Sequence, residues 1–256
     1  MTRGVALVRR PSTRLSEGIV THIQRSPVDI ALARRQHDGY RAALADVGWT
    51  VTEVPPADDH PDSVFVEDTV VVCDGLAVLT HPGAEARVGE IAGTEVAVRE
   101  LGLDIARIEP PGTLDGGDVL QVGRTVYVGA GGRTNRAGVA QLRDHLAPRD
   151  RDIVAVPLGR VLHLKSAVTA LPDGTLVALP NLIDTSALPP VHAVSEAAGC
   201  HLVPLDRKDV VIAASAPRTA EWLASRGYRP VVVDISEFEK LEGCVTCLCV
   251  LVDARP

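Results

Sequence analysis

Aromatic side chains are almost missing from this chain: two Trp, three Tyr and two Phe, 3% of 256 residues. The core must be built mainly from Val, Leu, Ile and Ala. At 46% hydrophobic residues there is enough for a sizeable core without metal or disulfide staples. Lysine is also scarce, confined to Lys165, Lys208 and Lys240. With a net charge of −7 and no basic run, the chain is not expected to bind nucleic acid or an anionic membrane surface. No apolar run approaches the ~18 residues of a membrane span, and no N-terminal stretch has the make-up of a secretory signal. A cytoplasmic location is the expectation. There the five cysteines, Cys73, Cys200, Cys244, Cys247 and Cys249, are expected as thiols rather than disulfides.

Against this apolar background, two acidic turns stand out. Glu67 and Asp68 interrupt Val64-Phe65-Val66-Glu67-Asp68-Thr69-Val70-Val71-Val72, which otherwise reads as a buried strand. Asp115 and Asp118 frame Leu114-Asp115-Gly116-Gly117-Asp118 ahead of Val119 and Leu120. An unpaired buried carboxylate costs several kcal/mol or takes up a proton, so acids in such places call for a cation. An internal Arg or a cationic substrate would serve. The other reading is a pair of strand-edge turns with solvated acids.

Strands and helices alternate along the chain. Residues 4–8 read as a strand. Ser26-Pro27 has the N-cap and first-position residues of a helix start, and helical spacing then runs to Gly48. Asp74-Gly75, Gly123-Arg124 and Asp173-Gly174 each separate two short apolar runs, the pattern of a β-hairpin. A weaker hairpin lies at 201–205 and 210–213. Helices are expected at 84–101, 134–146 and 217–226, extended chain at 230–233, and a buried strand at 245–252. Loops are expected at 55–61 and 180–190. Hairpin, helix and strand recur, which means an α/β fold, expected as a single domain over residues 1–256.

Two residues carry reactive chemistry. Cys247 sits in Gly243-Cys244-Val245-Thr246-Cys247-Leu248-Cys249. Cys244, Cys247 and Cys249 could be small core residues, a metal site short of further ligands, or the home of a nucleophile. A thiol nucleophile needs a general acid/base, usually His, brought near by the fold. Of eight histidines, His163 is distinguished by its setting, Val161-Leu162-His163-Leu164-Lys165-Ser166, at the expected edge of a strand. A hydrogen-bonded core histidine is the competing reading.

Taken together, these stretches resemble the dimethylarginine dimethylaminohydrolases, cysteine hydrolases of the guanidino-group-modifying (pentein) superfamily. The resemblance is carried in order by Phe65-Val66-Glu67-Asp68, Leu114-Asp115-Gly116-Gly117-Asp118-Val119-Leu120, Arg133-Thr134-Asn135, Leu162-His163-Leu164-Lys165 and Glu242-Gly243-Cys244-Val245-Thr246-Cys247. It covers nearly the whole chain and implies a five-bladed α/β propeller of ββαβ units around a negatively lined channel. It also implies roles. Cys247 matches the nucleophile, His163 the general acid/base and Asp115 the acid that orients it. Glu67 and Asp68 match acids that bind the guanidinium, and Arg87 and Arg133 the clamp on the substrate α-carboxylate. By residue type alone both arginines read as surface residues. Asp62 matches a residue near the α-amino group, Ile19 falls where the family has a mobile lid, and the backbone of Leu241 would lie at the amino-acid end of the substrate. The implied reaction hydrolyses N-methylated arginines to citrulline and an amine, with no metal or organic cofactor, on a small guanidino amino acid, in a monomer or homodimer.

The chain departs from the family pattern at Ala198-Gly199-Cys200, where members often carry Asn in the middle, and the segment to Ser215 aligns loosely. An arginine or agmatine deiminase is an alternative. The two arginines argue for a substrate with a free carboxylate, against agmatine, and no helical insertion typical of arginine deiminases is present. A non-catalytic propeller-fold binding protein is a further alternative, opposed by the retained Cys247, His163 and acids.

Overall fold

The computed structural model describes residues 3–254. It begins with β1 (Gly4–Val8), α1 (Ile30–Asp46) and β2 (Thr50–Glu53). Then come β3 (Val70–Cys73), β4 (Leu76–Leu79), α2 (Ile91–Glu100) and β5 (Asp104–Arg107). The third group is β6 (Val119–Val122), β7 (Thr125–Ala130), α3 (Arg136–Leu146) and β8 (Asp152–Pro157). The fourth, β9 (Val168–Ala170), β10 (Leu176–Ala178) and β11 (Val191–Ala193), has only a short 3₁₀ turn, Thr185–Ala187, where the others have a helix. β12 (Val203–Pro204), β13 (Asp209–Ala213), α4 (Pro217–Ser225), β14 (Arg229–Val233), a single helical turn α5 (Ser236–Glu239) and β15 (Val250–Asp253) complete the chain.

These strands form five three-stranded sheets. In each, the middle strand pairs antiparallel with one neighbour and parallel with the other, the helix or turn lying in the parallel crossover. The first sheet is closed by β15 pairing antiparallel with β1, Leu7 opposite Val250, so the last strand completes the first blade. The hydrophobic clusters bridge neighbours. One joins β3 and β4 to β6, β7 and α3 through Val78, Leu114, Val128 and Leu142. Another joins β6 and β7 to β9 and β10 through Leu120, Val156, Val168 and Leu176. Apolar burial between blades, at roughly 25 cal/mol per Å², is what holds the ring together. The few aromatics do specific work. Tyr40 on α1 donates its hydroxyl to the Val245 carbonyl (2.8 Å), and Trp49 donates to the Leu205 carbonyl (3.2 Å).

A short 3₁₀ turn precedes the first strand of every blade: Val66–Thr69, Gly116–Asp118, Leu164–Ser166, Ala197–Cys200 and Val245–Leu248. This corrects the expected buried strands at 64–72 and 245–252. In both, the first half is a 3₁₀ turn and only the second half is strand. A short fully buried apolar run has the same pattern in either conformation, so periodicity could not separate them. His163 likewise lies on extended chain capping a turn, not on a strand. The first helix begins at Ile30, not at Ser26-Pro27. The Asp29 carboxylate caps Leu32 N (3.0 Å), and its own N–H is held by Glu237 (2.8 Å), which fixes the start there. The expected helix at 84–101 splits into a 3₁₀ stretch, Glu85–Glu90, and α2.

Glycine at 116 lets the two acidic turns touch. A Cβ there would lie 2.0 Å from the Glu67 carbonyl oxygen. Gly116→Ala is therefore expected to cost about 1–3 kcal/mol, the usual scale of overpacking. Urea denaturation checks this; an unchanged midpoint would mean that the turns can separate freely.

Candidate active site

The 3₁₀ turns converge, and their neighbouring residues face different cavities. Asp68, His163 and Cys247 border one small cavity of ≈20 Å³, together with Ile19, Asp62, Arg87, Arg133 and Leu241. Glu67, Lys165 and Thr246 border another, of ≈270 Å³. Eight of the ten residues singled out in the sequence thus meet around one space. The other two stand behind it: Asp115 touches His163, and Glu67 is next to Asp68 in the chain.

His163 is gripped by acids. Its Nε2 donates to Asp115 Oδ2 (3.0 Å), while Nδ1 lies 3.7 Å from Asp68 Oδ1. Asp115 is fixed in turn by Gly83 N–H (2.8 Å). Gly117 makes the approach possible, since a Cβ there would lie 2.6 Å from His163 Nδ1 and 2.8 Å from Asp68 Oδ1. Burial opposes the imidazolium, but Asp68, Asp115 and Asp118 outweigh it and raise the His163 pKa from 6.5 to about 10. At neutral pH this histidine holds a proton, ready to act as an acid.

A raised folded-state pKa contributes stability that is complete below the unfolded value and lost above it. The His163 contribution is thus full below about 6.5 and disappears as pH rises to about 10. The urea midpoint is expected to fall across that window in the wild type and to fall less in His163→Gln. His201, also raised to about 10, adds the same slope to both proteins and cancels in the comparison. Parallel slopes would overturn the assignment.

Asp68 is the anchor of the charge pattern. Burial pushes it up, but His163, Arg87 and the Gly117 N–H (2.9 Å) overcome that and bring its pKa to about 2. Arg87 is only 5% exposed, which corrects its reading as a surface residue. Its fork donates to Asp68 Oδ2 (2.6 Å), to Glu90 (2.8 Å) and to the Asp62 and Phe65 carbonyls. Arg133 is half-buried and engages no hydrogen bond or ion pair among the described residues, so its fork is free for an anion.

Glu67 borders the second cavity, not the one that Cys247 borders. Lys165 donates to its Oε1 (2.6 Å), and Oε2 has no partner. Burial lifts Glu67 to about 7 against the pull of Lys165, and Lys165 is raised in turn, with Glu67 outweighing burial. Above pH 7 this pair is ionic. Asp118, lifted by burial to about 7, accepts from Thr134 Oγ1 (2.5 Å) and Leu164 N–H (2.9 Å), tying the second turn to the His163 turn.

The roof of the cavity is pinned by two carboxylates. Asp62 accepts from Ile19 N–H (3.1 Å). Glu242, in the left-handed region at φ 61°, accepts from Thr21 N–H (2.8 Å) and from His22 N–H. Residue type gives no role to Glu90, Lys165 or Glu242, and marks Asp118 only as the second acid of its turn. Asp118 and Glu242 do lie inside the motifs, beside the Gly-Gly and Gly-Cys steps, whereas Glu90 reads as an ordinary helical acid.

Asp68, Asp115 and His163 offer ligand atoms within 4.8 Å of one another, the only such trio among the described residues. A metal there would have to displace the proton that these acids hold on His163. The three late cysteines do not form a ligand cluster. Cys244 and Cys247 touch each other, while Cys249 is hydrogen-bonded by Tyr40 (3.1 Å).

Five three-stranded blades, four of them with a helix in the crossover, closing around a thiol, a proton-bearing histidine and buried carboxylates make the chain a pentein. Comparison with known proteins narrows the class. No family model matches the chain. It is 58% identical over 246 residues to an N(G),N(G)-dimethylarginine dimethylaminohydrolase of Streptomyces coelicolor, covering 96% of this chain and 95% of that one. It superposes with a TM-score of 0.92 on a histidine-to-glycine dimethylarginine dimethylaminohydrolase variant in adduct with S-methyl-L-thiocitrulline, at 32% identity over 98% of this chain and 100% of that one. With a cysteine-to-serine variant of the Pseudomonas aeruginosa protein complexed with citrulline, the TM-score is 0.91 at the same identity and coverage. The chain belongs to the dimethylarginine dimethylaminohydrolase family.

Proposed function

We propose that this protein hydrolyses N-omega-methylated arginines, asymmetric dimethylarginine and monomethylarginine, to citrulline and dimethylamine or methylamine through a covalent intermediate on Cys247. The observation that carries the reading is one cavity bordered by a thiol, a protonated imidazole and a carboxylate, with Arg133 unengaged on its wall. The citrulline and thiocitrulline complexes of the related proteins support it.

The guanidinium sits beside Asp68, with the Glu67 charge one layer behind, an arrangement that suits a planar cation with several N–H donors. Without substrate, the hydrogen bond with Cys244, burial and the acids Glu67 and Asp68 hold the Cys247 thiol well above its ordinary range. A bound cation reverses the sign of that field and promotes the thiolate. The thiolate attacks the guanidinium carbon, and His163 gives its proton to the departing amine, leaving a thiouronium on Cys247. His163, now neutral and oriented by Asp115, takes a proton from water. The resulting hydroxide displaces Cys247 and releases citrulline. None of these steps needs a metal or organic cofactor.

At the other end, Arg133 clamps the substrate carboxylate and Arg87 adds a fixed charge. Asp62 receives the α-amino group, and Ile19 and the Leu241 backbone close over it. A cavity of ≈20 Å³ has room for about one water molecule. The segment carrying Ile19 must therefore lift to admit substrate. The protein works in the cytoplasm as a monomer or homodimer, without nucleic-acid or membrane partners.

Citrulline release from asymmetric dimethylarginine, monomethylarginine and arginine in parallel, with agmatine consumption alongside, tests the reading. Turnover of the methylated substrates with little from arginine is expected. Arginine turnover with ammonia release would make the protein a deiminase, and no turnover of any would reject hydrolysis of these substrates.

A further inference from the structure

We propose that Cys244 and Cys247 form a redox modification site, in which a small hydroperoxide reversibly converts the two thiols to a disulfide and removes the nucleophile.

The geometry is already close to that of the bond. The two Sγ atoms lie 3.1 Å apart, and Cys247 N–H donates to the Cys244 carbonyl at 3.0 Å. A four-residue turn closed in this way keeps its end Cα atoms within about 7 Å. A disulfide needs Cα atoms about 4.4–6.8 Å apart and an S–S distance of about 2.05 Å. Side-chain rotation that brings the sulfurs about 1 Å nearer closes the bond.

The two thiols differ in access. Cys247 borders the small cavity and Cys244 does not. That cavity is the route by which a small oxidant such as hydrogen peroxide reaches a sulfur. Cys247 is thus the thiol that meets peroxide, and Cys244 the one that resolves the product. In the first step the Cys247 sulfur attacks one peroxide oxygen, the O–O bond breaks, and a sulfenic acid and water form. In the second the Cys244 sulfur attacks the sulfenic sulfur, the S–O bond breaks and a second water leaves. Two thiols lose two electrons, and one peroxide becomes two waters.

Cys244 is suited to this part. Its sulfur is also 3.1 Å from Thr246 Oγ1, and the half-buried His201 stands near it, with Nε2 on the Ser166 carbonyl (3.0 Å). The hydrogen bond with Cys247 outweighs burial and, helped by His201, holds the Cys244 thiol well below its ordinary value. Cys249 is unsuited: burial lifts it to about 12, and Tyr40 occupies it. The methylarginine reaction uses only Cys247, so the second cysteine of the Cys-x-x-Cys has no other assigned part. The effect on activity rests on Cys247 being the nucleophile; the disulfide itself does not.

The experiment treats the full chain with hydrogen peroxide, alkylates the remaining thiols and sequences the C-terminal peptide by tandem mass spectrometry, with citrulline release followed before and after dithiothreitol. The expected result is a peptide lighter by two hydrogen atoms, bonded between Cys244 and Cys247 with Cys249 alkylated, and activity that is lost and then restored. Cys244→Ser and, as a second form, Cys244→Ala are each compared with their own turnover before peroxide, because loss of the hydrogen bond to Cys247 shifts that thiol as well. After it, these variants should carry sulfinic acid at Cys247 that dithiothreitol does not reverse. A wild-type Cys247 oxidised to sulfinic acid while Cys244 is still alkylated would overturn the proposal. So would full recovery of both Cys244 variants. The mass readout decides even if methylarginines prove not to be the substrate.

Discussion

Cys247→Ala is expected to abolish citrulline release while leaving the ring of blades intact. The nucleophile is the one group that no neighbour can replace. Cys244 is 3.1 Å away but does not border the cavity, and Cys249 is bound by Tyr40. Removing the nucleophile of a covalent mechanism costs on the order of 10⁶-fold in rate. Cys247→Ser should fare almost as badly, because a cationic substrate that can draw a thiol to its thiolate cannot ionise a hydroxyl at neutral pH. The structural price is small. The side chain is 7% exposed beside an existing cavity, and it makes none of the contacts by which Tyr40 and Cys249 join α1 to the turn before β15. Losing one sulfur should cost about 1 kcal/mol, the lower end of large-to-small changes. Unchanged circular dichroism and a small shift in the unfolding midpoint, together with no citrulline, is the expected outcome. Retained turnover in either variant would remove Cys247 from the mechanism.

How much of this can be read in the sequence depends on the kind of signal. The hairpins at Asp74-Gly75, Gly123-Arg124 and Asp173-Gly174 are local events dictated by turn residues, and all three appear with strands where expected. The 3₁₀ turns that carry the chemistry are not local in this sense. Val245 to Leu248 and Val66 to Thr69 are buried within largely apolar runs, and only closure of the ring decides that they bend rather than run as strand. The acids were visible because carboxylates in apolar stretches are out of place; the partner was not. For Asp68 it is an internal arginine, Arg87, which nothing in its own neighbourhood marks as buried. The division between Glu67 and Asp68 was equally hidden, since these adjacent residues of a tight turn border different cavities. The likeness to a family gathered Ile19, Asp62, Leu241 and Arg133, residues with no chemical signature of their own, around the cavity that composition alone could not assemble.

His163→Gln is expected to lower kcat by at least ~10²-fold, the scale of a lost general acid/base. Glutamine keeps a donor of similar reach for Asp115 but carries no titratable proton, so the leaving amine must depart unprotonated. The field around the ring sharpens the prediction. Asp68, Asp115 and Asp118 hold the imidazolium to about pH 10 despite its burial. On the alkaline side, kcat/KM of the wild type should therefore fall as this proton is lost, with a midpoint near 10 in the free enzyme. A bound guanidinium opposes the imidazolium and competes with it for Asp68, so the corresponding limb in kcat should lie at lower pH. The Gln variant should show neither limb. Its KM should change less than its kcat, since Asp68 and Arg133, proposed to hold the two ends of the substrate, are left in place. A near-wild-type rate, or an alkaline limb that survives the substitution, would mean that another group carries the proton. The candidate is then Asp118, lifted to about 7 by burial and tied to the same turn by the Leu164 N–H.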